Sequence, residues 1–172
     1  MLEDEIRIER LLESNFDLNR PKPFEKITDV CRNAADEEAI EEASPFLGKK
    51  WIDVTPEIWR EHWCALTFLS DQAFGYFLPS LIKASLHDYP STINAVDSCL
   101  CGMPRVSQYG EKNDHNLERW RQLSISQIQC VAEWISWLEK RHIKDCSSLN
   151  LAKDSINQLL QVKTHQPPPL GK

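Results

Sequence analysis

Two cysteines, Cys99 and Cys101, lie two residues apart in the segment DSCLC. Thiolates at this spacing can share a zinc ion. The rest of a zinc framework is missing, because the chain has no Cys-x-x-Cys and no pair of histidines three to five residues apart. Only His87, His115 or Cys146 could complete a site, and folding would have to bring them close. We therefore expect reduced cysteines and no metal site.

Two further pairs have spacings that occur in enzymes. His62 and Cys64 flank a tryptophan, but residues two apart on a helix point to different faces, which disfavours a nucleophile with its base. Glu139 and His142 form one Glu-x-x-His, a spacing that di-iron helical bundles use twice together with two more glutamates. Because the second copy is absent, we expect neither an iron centre nor another cofactor.

Motifs that bind phosphates or nucleic acids are also absent. With five glycines, the chain contains no phosphate-binding glycine loop and no G-x-S-x-G. The segment ERWRQ places Arg119 and Arg121 beside Trp120, an arrangement that could stack a base or hold an acidic partner. The net charge of −6 and the isoelectric point near 5.4 oppose a nucleic-acid surface. We expect a helix-entry segment there and no nucleic-acid partner.

The six tryptophans are the most informative residues in the chain. Trp59 and Trp63 share one helix face by their spacing, and so do Trp134 and Trp137. Tryptophan is frequent both in cores and in binding hot spots. Packing in the core is one interpretation and a partly open aromatic groove is the other. Under the second interpretation, these four residues and Tyr76 are the predicted partner-binding residues, and no catalytic residues are predicted.

The first quarter of the chain is predicted to be helical and acidic. Ile8, Leu12 and Phe16 follow helical spacing, and the prolines of RPKPF, residues 20–24, end that helix. A second helix is predicted for about residues 24–43. Residues 1–48 carry thirteen acidic and six basic residues. We interpret the run DEEAIEEA as a solvated helix face, with an acidic docking strip as the alternative.

The middle of the chain contains clear helix starts. Thr55 and Pro56 begin a helix predicted for residues 55–69, and Ser70 is the next N-cap. Pro79 interrupts the apolar pattern that follows, so we predict two abutting helices with Pro79 in the first turn of the second. The segment KKWIDV, residues 49–54, has the best strand-like alternation in the chain.

The second half combines an irregular stretch with two helices. Residues 87–118 are predicted to hold one short helix and a long loop. The capping box SISQ, Ser124 to Gln127, starts a helix, and the last helix is predicted for about residues 148–163. The proline-rich tail, residues 164–172, is predicted to be disordered, with a polyproline ligand as the alternative.

Three segments resemble a bacterial family of small uncharacterised proteins catalogued as a domain of unknown function. They are GKKWIDVTPEIW, LTFLSDQAFGYFLPSLIKASL and LSISQIQCVAEWISWLEK. The family pattern is Gly-Lys-x-Trp, then Ala-Phe-x-Tyr-aromatic-Leu-Pro, with a Tyr-Tyr pair where this chain has Tyr76 and Phe77. The resemblance implies a compact bacterial domain without assigned catalytic residues. Its distinguishing positions are Trp51, Phe68, Ala73, Phe74, Tyr76, Leu78 and Pro79.

We expect an all-α fold: a single-domain bundle of six or seven short helices with one irregular loop insertion, covering residues 1–163. No signal peptide or membrane-spanning run is visible, so a cytosolic protein is expected.

Without a catalytic constellation, the favoured function is a non-catalytic protein-interaction domain of the immunity, inhibitor or adaptor type, with another protein as its partner and no membrane contact. The alternative is a small helical enzyme with a site assembled from Glu57, Glu61, His62 and Tyr76.

Overall fold

A computed structural model describes residues 2–16, 24–104, 115–142 and 147–165. Within these ranges the regular structure is helical, and the β-pairing there is an isolated antiparallel bridge between Cys31 and Leu69. The predicted all-α class is confirmed, and these ranges hold more helices than the six or seven expected. The ten α-helices are α1 (Glu3–Asn15), α2 (Ile27–Val30), α3 (Glu37–Ala43), α4 (Pro56–Glu61), α5 (Ala65–Phe68), α6 (Asp71–His87), α7 (Tyr89–Cys101), α8 (His115–Arg121), α9 (Ile125–Arg141) and α10 (Ser147–His165).

The helix predicted for residues 24–43 is two helices, α2 and α3, so this prediction was wrong. The backbone next to Cys31 bonds to a distant segment: the Arg32 amide donates to the Phe68 carbonyl oxygen at 2.7 Å, and the Ser70 amide donates to the Val30 carbonyl oxygen at 2.7 Å. These bonds keep Cys31 and Arg32 out of a helix, so α2 ends at Val30. Helix α3 then starts afresh at Asp36, whose carboxylate accepts from two amides of the first turn.

The helix predicted for residues 55–69 also divides, into α4 and α5. His62 ends α4 with φ of −118° and ψ of 57°, outside the helical region. The chain resumes helical geometry at Ala65. The strand considered for residues 49–54 is absent, because Trp51–Asp53 forms a 3-10 helix. The indole of Trp51 is buried in the core. Because the helix breaks at His62, the side chains of residues 63–69 point in other directions than they would on a continuous helix.

Pro79 lies in the interior of the continuous helix α6, so the prediction of two abutting helices was wrong. Its ring removes one amide donor, the one that would have bonded to the Gly75 carbonyl oxygen. Leu78, Leu81 and Ile82 are fully buried around Pro79. A helix buried on several sides is held by its neighbours, and this packing offsets the lost hydrogen bond.

The stretch predicted as mostly irregular, residues 87–118, contains the thirteen-residue helix α7. Asp88 caps it by accepting from the Ser91 amide at 3.2 Å, and Pro90 lies in the first turn, where its missing amide costs nothing. The Cys99 and Cys101 pair therefore lies on a helix and not in a loop. Part of the predicted loop, residues 105–114, lies outside the described residues.

Helices α1, α6 and α9 pack together around the core. The Ser124 capping box of α9 forms as predicted, and its apolar stripe is buried. The Trp134 indole nitrogen donates to the Ser85 hydroxyl at 2.9 Å, which joins α9 to α6. Arg7 of α1 pairs with Glu133 of α9 at 2.7 Å.

Helix α10 packs on α9, where Lys153 pairs with Glu139 at 2.7 Å. It continues to His165, and the rest of the predicted tail, residues 166–172, lies outside the described residues. Among the described helices, none combines the length and the apolar composition that crossing a bilayer requires.

Candidate functional site

A cleft of about 710 Å³ opens between three segments that are distant in sequence. One wall is formed by the α4–α5 connection and α5, the second by one face of α7, and the third by α8. Phe74 of α6 also lines the cleft. We call it the Trp63 cleft. Its lining residues are Trp63, Leu66, Thr67, Phe74, Asn94, Asp97, Ser98, Cys99, Cys101, Gly102, Asn116, Arg119 and Trp120.

Trp63 is the exposed aromatic residue of this cleft. The break after α4 separates it from Trp59, with which it would share a face in a continuous helix. Trp59 is 0% exposed and packs on Phe46 with ring centroids 4.9 Å apart, whereas Trp63 is 48% exposed. The prediction of a shared face for these two residues was therefore wrong. The chain directs Trp59 into the core and leaves Trp63 accessible to a ligand.

Arg119 of α8 holds two walls of the cleft together. It is 3% exposed, and its Nη1 donates to the Leu66 carbonyl oxygen at 2.8 Å while its Nη2 donates to the Leu69 carbonyl oxygen. These carbonyls belong to the end of the short helix α5, where four carbonyls lack helical donors. Arg119 therefore caps α5 from a helix about fifty residues away in the sequence.

The charge of Arg119 is partly compensated inside the protein. Its Nε lies 3.5 Å from an Asp71 carboxylate oxygen, and its guanidinium carbon lies 4.4 Å from the centre of the Phe74 ring. Burial lowers the pKa of Arg119 to about 10, and the carboxylate of Asp71 opposes that shift. The side chain therefore remains a cation at neutral pH, and it connects α8 to the end of α5.

The α7 wall supplies polar groups. Asn94 and Asp97 are exposed and Ser98 is half-buried. The Asp97 carboxylate accepts from the Ser148 hydroxyl of α10 at 3.4 Å. Among the described residues that line the cleft, Asp97 is the acidic side chain and Arg119 the basic one. Because Arg119 already faces Asp71, Asp97 contributes the uncompensated charge.

The cysteines of α7 do not form a pair. Cys99 is buried and Cys101 is exposed, because residues two apart on a helix point in different directions. Burial raises the pKa of the Cys99 thiol to about 12, so it is neutral at physiological pH. Within the described ranges no group of three or more potential ligands is placed to hold a metal ion. Cys146 and the side chain of His115 lie outside the part of the chain that the structure describes.

Three polar side chains, those of Glu42, His62 and Cys64, form a second cluster at the break after α4. A Glu42 carboxylate oxygen lies 3.9 Å from His62 Nδ1, and the Cys64 thiol is hydrogen-bonded to the same carboxylate. Burial raises the pKa of the Glu42 carboxyl. Burial and the nearby Glu42 charge raise the pKa of the Cys64 thiol to about 11, which makes it a poor nucleophile at neutral pH.

The other predicted partner-binding residues lie elsewhere. Trp134 and Trp137 are buried in the core on α9. Tyr76 is partly buried, and its ring packs edge-on against Phe24 and Phe77 with centroids 5.7 and 4.9 Å away. Trp63 is thus the one of the five predicted residues that lines the cleft.

The residues considered for an enzyme are also dispersed. Glu57 and Glu61 are exposed on α4, and neither they nor His62 are among the described residues that line the cleft. Glu139 pairs with Lys153, while His142 stacks on Tyr89 with ring centroids 4.1 Å apart. The single Glu-x-x-His is therefore used in packing between helices.

Sequence reasoning missed the α7 wall. Asn94, Asp97, Ser98 and Cys101 recur at intervals of three and four residues, which is the spacing of one helix face. That signal was present in the sequence, but this stretch was predicted to be mostly irregular, and the spacing has no meaning in a loop.

Comparison with known families gives one finding. The model of DUF6714, a family of unknown function, matches residues 25–156, and the chain belongs to this family. The matched range contains all of the described lining residues of the Trp63 cleft. Comparisons with curated proteins and with solved structures give no match.

Proposed function

We propose that this member of DUF6714 is a non-catalytic protein-interaction domain that binds an extended segment of a partner protein in the Trp63 cleft. The observation that carries the proposal is the half-exposed indole of Trp63 beside a cleft of about 710 Å³. An immunity, inhibitor or adaptor role and a cytoplasmic location are parts of the same proposal, as are the expectations of no nucleic-acid and no membrane partner.

The exposure of Trp63 supports binding because it is costly in water. A tryptophan side chain carries a large apolar area, and this one leaves about half of it in solvent. Tryptophan is also enriched among the residues that dominate binding energy. A partner that covers Trp63 gains this apolar area without any rearrangement of the core.

The polar groups of the cleft suit a peptide chain. Asn94 is exposed beside Asp97, and a primary amide both donates and accepts hydrogen bonds, as a peptide group does. The volume lies within the roughly 300 to 1,000 Å³ typical of ligand sites. A segment of a few residues therefore fits the cleft in size and in chemistry.

The ionisable groups support binding more than catalysis. The thiol of Cys99 has a pKa raised to about 12 by burial. Arg119 is held by backbone carbonyls, and Asp97 has no histidine among the described lining residues to act as a proton partner. A general acid with its base, or an activated nucleophile, would need a different arrangement.

The test is selection from a displayed library of random twelve-residue peptides on the immobilised full-length protein. We expect enriched peptides whose affinity falls by about 30-fold or more in Trp63→Ala, as for a binding hot spot. Truncation of this half-exposed side chain should leave the circular dichroism spectrum and the unfolding midpoint nearly unchanged.

The matched control is Ile125→Ala, which removes another exposed apolar side chain from a position outside the cleft. Peptide affinity should be the same in this variant and in the wild type. Peptides that bind equally well to Trp63→Ala, or a library without any binder, would contradict the proposed function.

A further inference from the structure

We infer that the partner segment bound in the Trp63 cleft presents a basic side chain, arginine or lysine, to Trp63 and Asp97. This inference rests on the proposed function and specifies the chemistry of the partner. Trp63 and Asp97 lie on different walls, one after α4 and the other on α7, and both line the same cleft. An occupant of the cleft can therefore contact both.

The charge balance of the cleft favours a cation. Arg119 directs two guanidinium nitrogens at the carbonyl oxygens of Leu66 and Leu69, and its third nitrogen lies 3.5 Å from Asp71. Its charge is thus partly compensated before any ligand arrives. Asp97 is exposed and has the neutral Ser148 hydroxyl as its hydrogen-bond donor. Among the described residues that line the cleft, the charge left for a partner is therefore negative.

Trp63 adds a second reason. The face of an indole carries negative electrostatic potential and attracts a guanidinium or ammonium group that lies over it. A half-exposed indole and a carboxylate that line the same cleft can hold the charged end of a side chain and also cover its apolar stem. The two groups together fit arginine or lysine better than they fit an uncharged aliphatic side chain.

The charge of the whole chain acts in the same direction. A net charge of −6, which comes from residues 1–48, attracts basic segments and repels acidic ones at long range. An acidic partner would approach Asp97 with like charge, and it would compete for Arg119 with Asp71 and with the carbonyl oxygens at the end of α5. The observations therefore favour a basic segment over an acidic one.

The experiment uses peptides enriched on the full-length wild-type protein, with affinities measured by fluorescence polarisation at about 50 mM salt. We expect an arginine or lysine in every enriched peptide family. For an arginine-containing peptide, replacement of arginine by citrulline keeps the shape and removes the charge. This replacement should weaken binding by about tenfold or more.

The protein variant that tests the same contact is Asp97→Asn, which retains an oxygen that can accept from Ser148. It should weaken the arginine peptide at least about fivefold and leave the citrulline peptide unchanged, as a double-mutant cycle requires for a direct charge pair. The control is Asp53→Asn, which removes the same charge from an exposed position outside the cleft and should change neither affinity.

The outcomes separate the two proposals. Trp63-dependent peptides that lack basic residues, or that bind equally well with citrulline, contradict this inference and leave the proposed function standing. Trp63-dependent acidic peptides contradict it as well. The absence of any Trp63-dependent peptide contradicts the proposed function, and this inference fails with it.

Discussion

At the scale of single residues, the surroundings of a side chain decide its role more than its type does. Trp59 and Trp63 are four residues apart, yet one is in the core and the other is half-exposed. Their spacing predicted a shared face, and this would hold if the helix were continuous. His62 adopts a non-helical backbone conformation, and this residue separates the buried tryptophan from the half-exposed one.

Glu42 allows a prediction about pH at the same scale. Burial raises the pKa of this carboxyl in the folded protein, although the Cys64 thiol and His62 oppose the shift. The folded state therefore favours neutral Glu42. Its contribution to stability is fully present below the pKa of the unfolded chain, about 4.3, and is lost as pH rises through the folded pKa.

Glu42→Gln keeps the side chain neutral at every pH. We expect this variant to gain stability relative to wild type as the pH rises from 4 to 7, measured by urea unfolding across that range. Glu25→Gln is the control, because Glu25 is exposed and its charge is not among those that shift the pKa of Glu42, so this variant should show no such trend. A difference between Glu42→Gln and wild type that is constant with pH, or that shrinks as pH rises, would rule out this origin.

At the scale of helices, two N-caps were predicted correctly, whereas the interruptions and the thirteen-residue length of α7 were not predicted. The caps at Ser70 and Ser124 form as predicted, because a cap depends on residues within one turn. The break in the segment 24–43 involves pairing of Val30 and Arg32 with residues 68–70. Such pairing joins positions about forty residues apart, and local spacing contains no information about it.

Helix α6 allows a prediction about its internal proline. Pro79→Ala restores an amide donor and removes a residue that costs about 3 kcal/mol in a helix interior relative to alanine. Loss of buried ring carbons and greater freedom of the unfolded chain offset most of this gain. We expect a net stabilisation of about 0.5 to 1 kcal/mol, measured by chemical denaturation.

Gly75→Ala is the control, because it raises helix propensity nearby without restoring the hydrogen bond. A methyl group there would meet only the Leu123 side chain, at an ordinary contact distance of 3.7 Å. It should stabilise the protein by up to about 1 kcal/mol. If Pro79→Ala instead destabilises the protein by more than about 2 kcal/mol, the packing of α6 requires the proline.

At the scale of the whole molecule, the cleft exists only in the folded chain. Its lining residues come from the segments 63–67, 94–102 and 116–120, with Phe74 below them. The sequence could predict an all-α fold and a surplus of tryptophan, because composition and helical spacing carry both. It could not predict which tryptophan faces solvent, since that depends on a helix break and on a distant arginine.

The contiguous core predicts that the protein unfolds as one unit. Buried residues from α1 through α10 form a single hydrophobic cluster. Ile8→Ala removes a fully buried side chain from α1, which contains no tryptophan. We expect it to lower stability by about 2 to 5 kcal/mol and to shift the tryptophan-fluorescence and circular-dichroism midpoints together. A separate early transition that leaves the fluorescence unchanged would show that α1 unfolds on its own.

The packing of α1 against α9 has a consequence for synthesis on the ribosome. The side chain of Gln127 donates to the backbone of Asn15, so the first helix is completed by residues made more than a hundred positions later. Translation proceeds at about 5 to 20 residues per second, so roughly 6 to 25 seconds pass between the synthesis of α1 and that of α9. During that interval Ile8 and Leu12 lack their partner surface. A nascent chain of this protein therefore presents α1 to chaperones until α9 has been made.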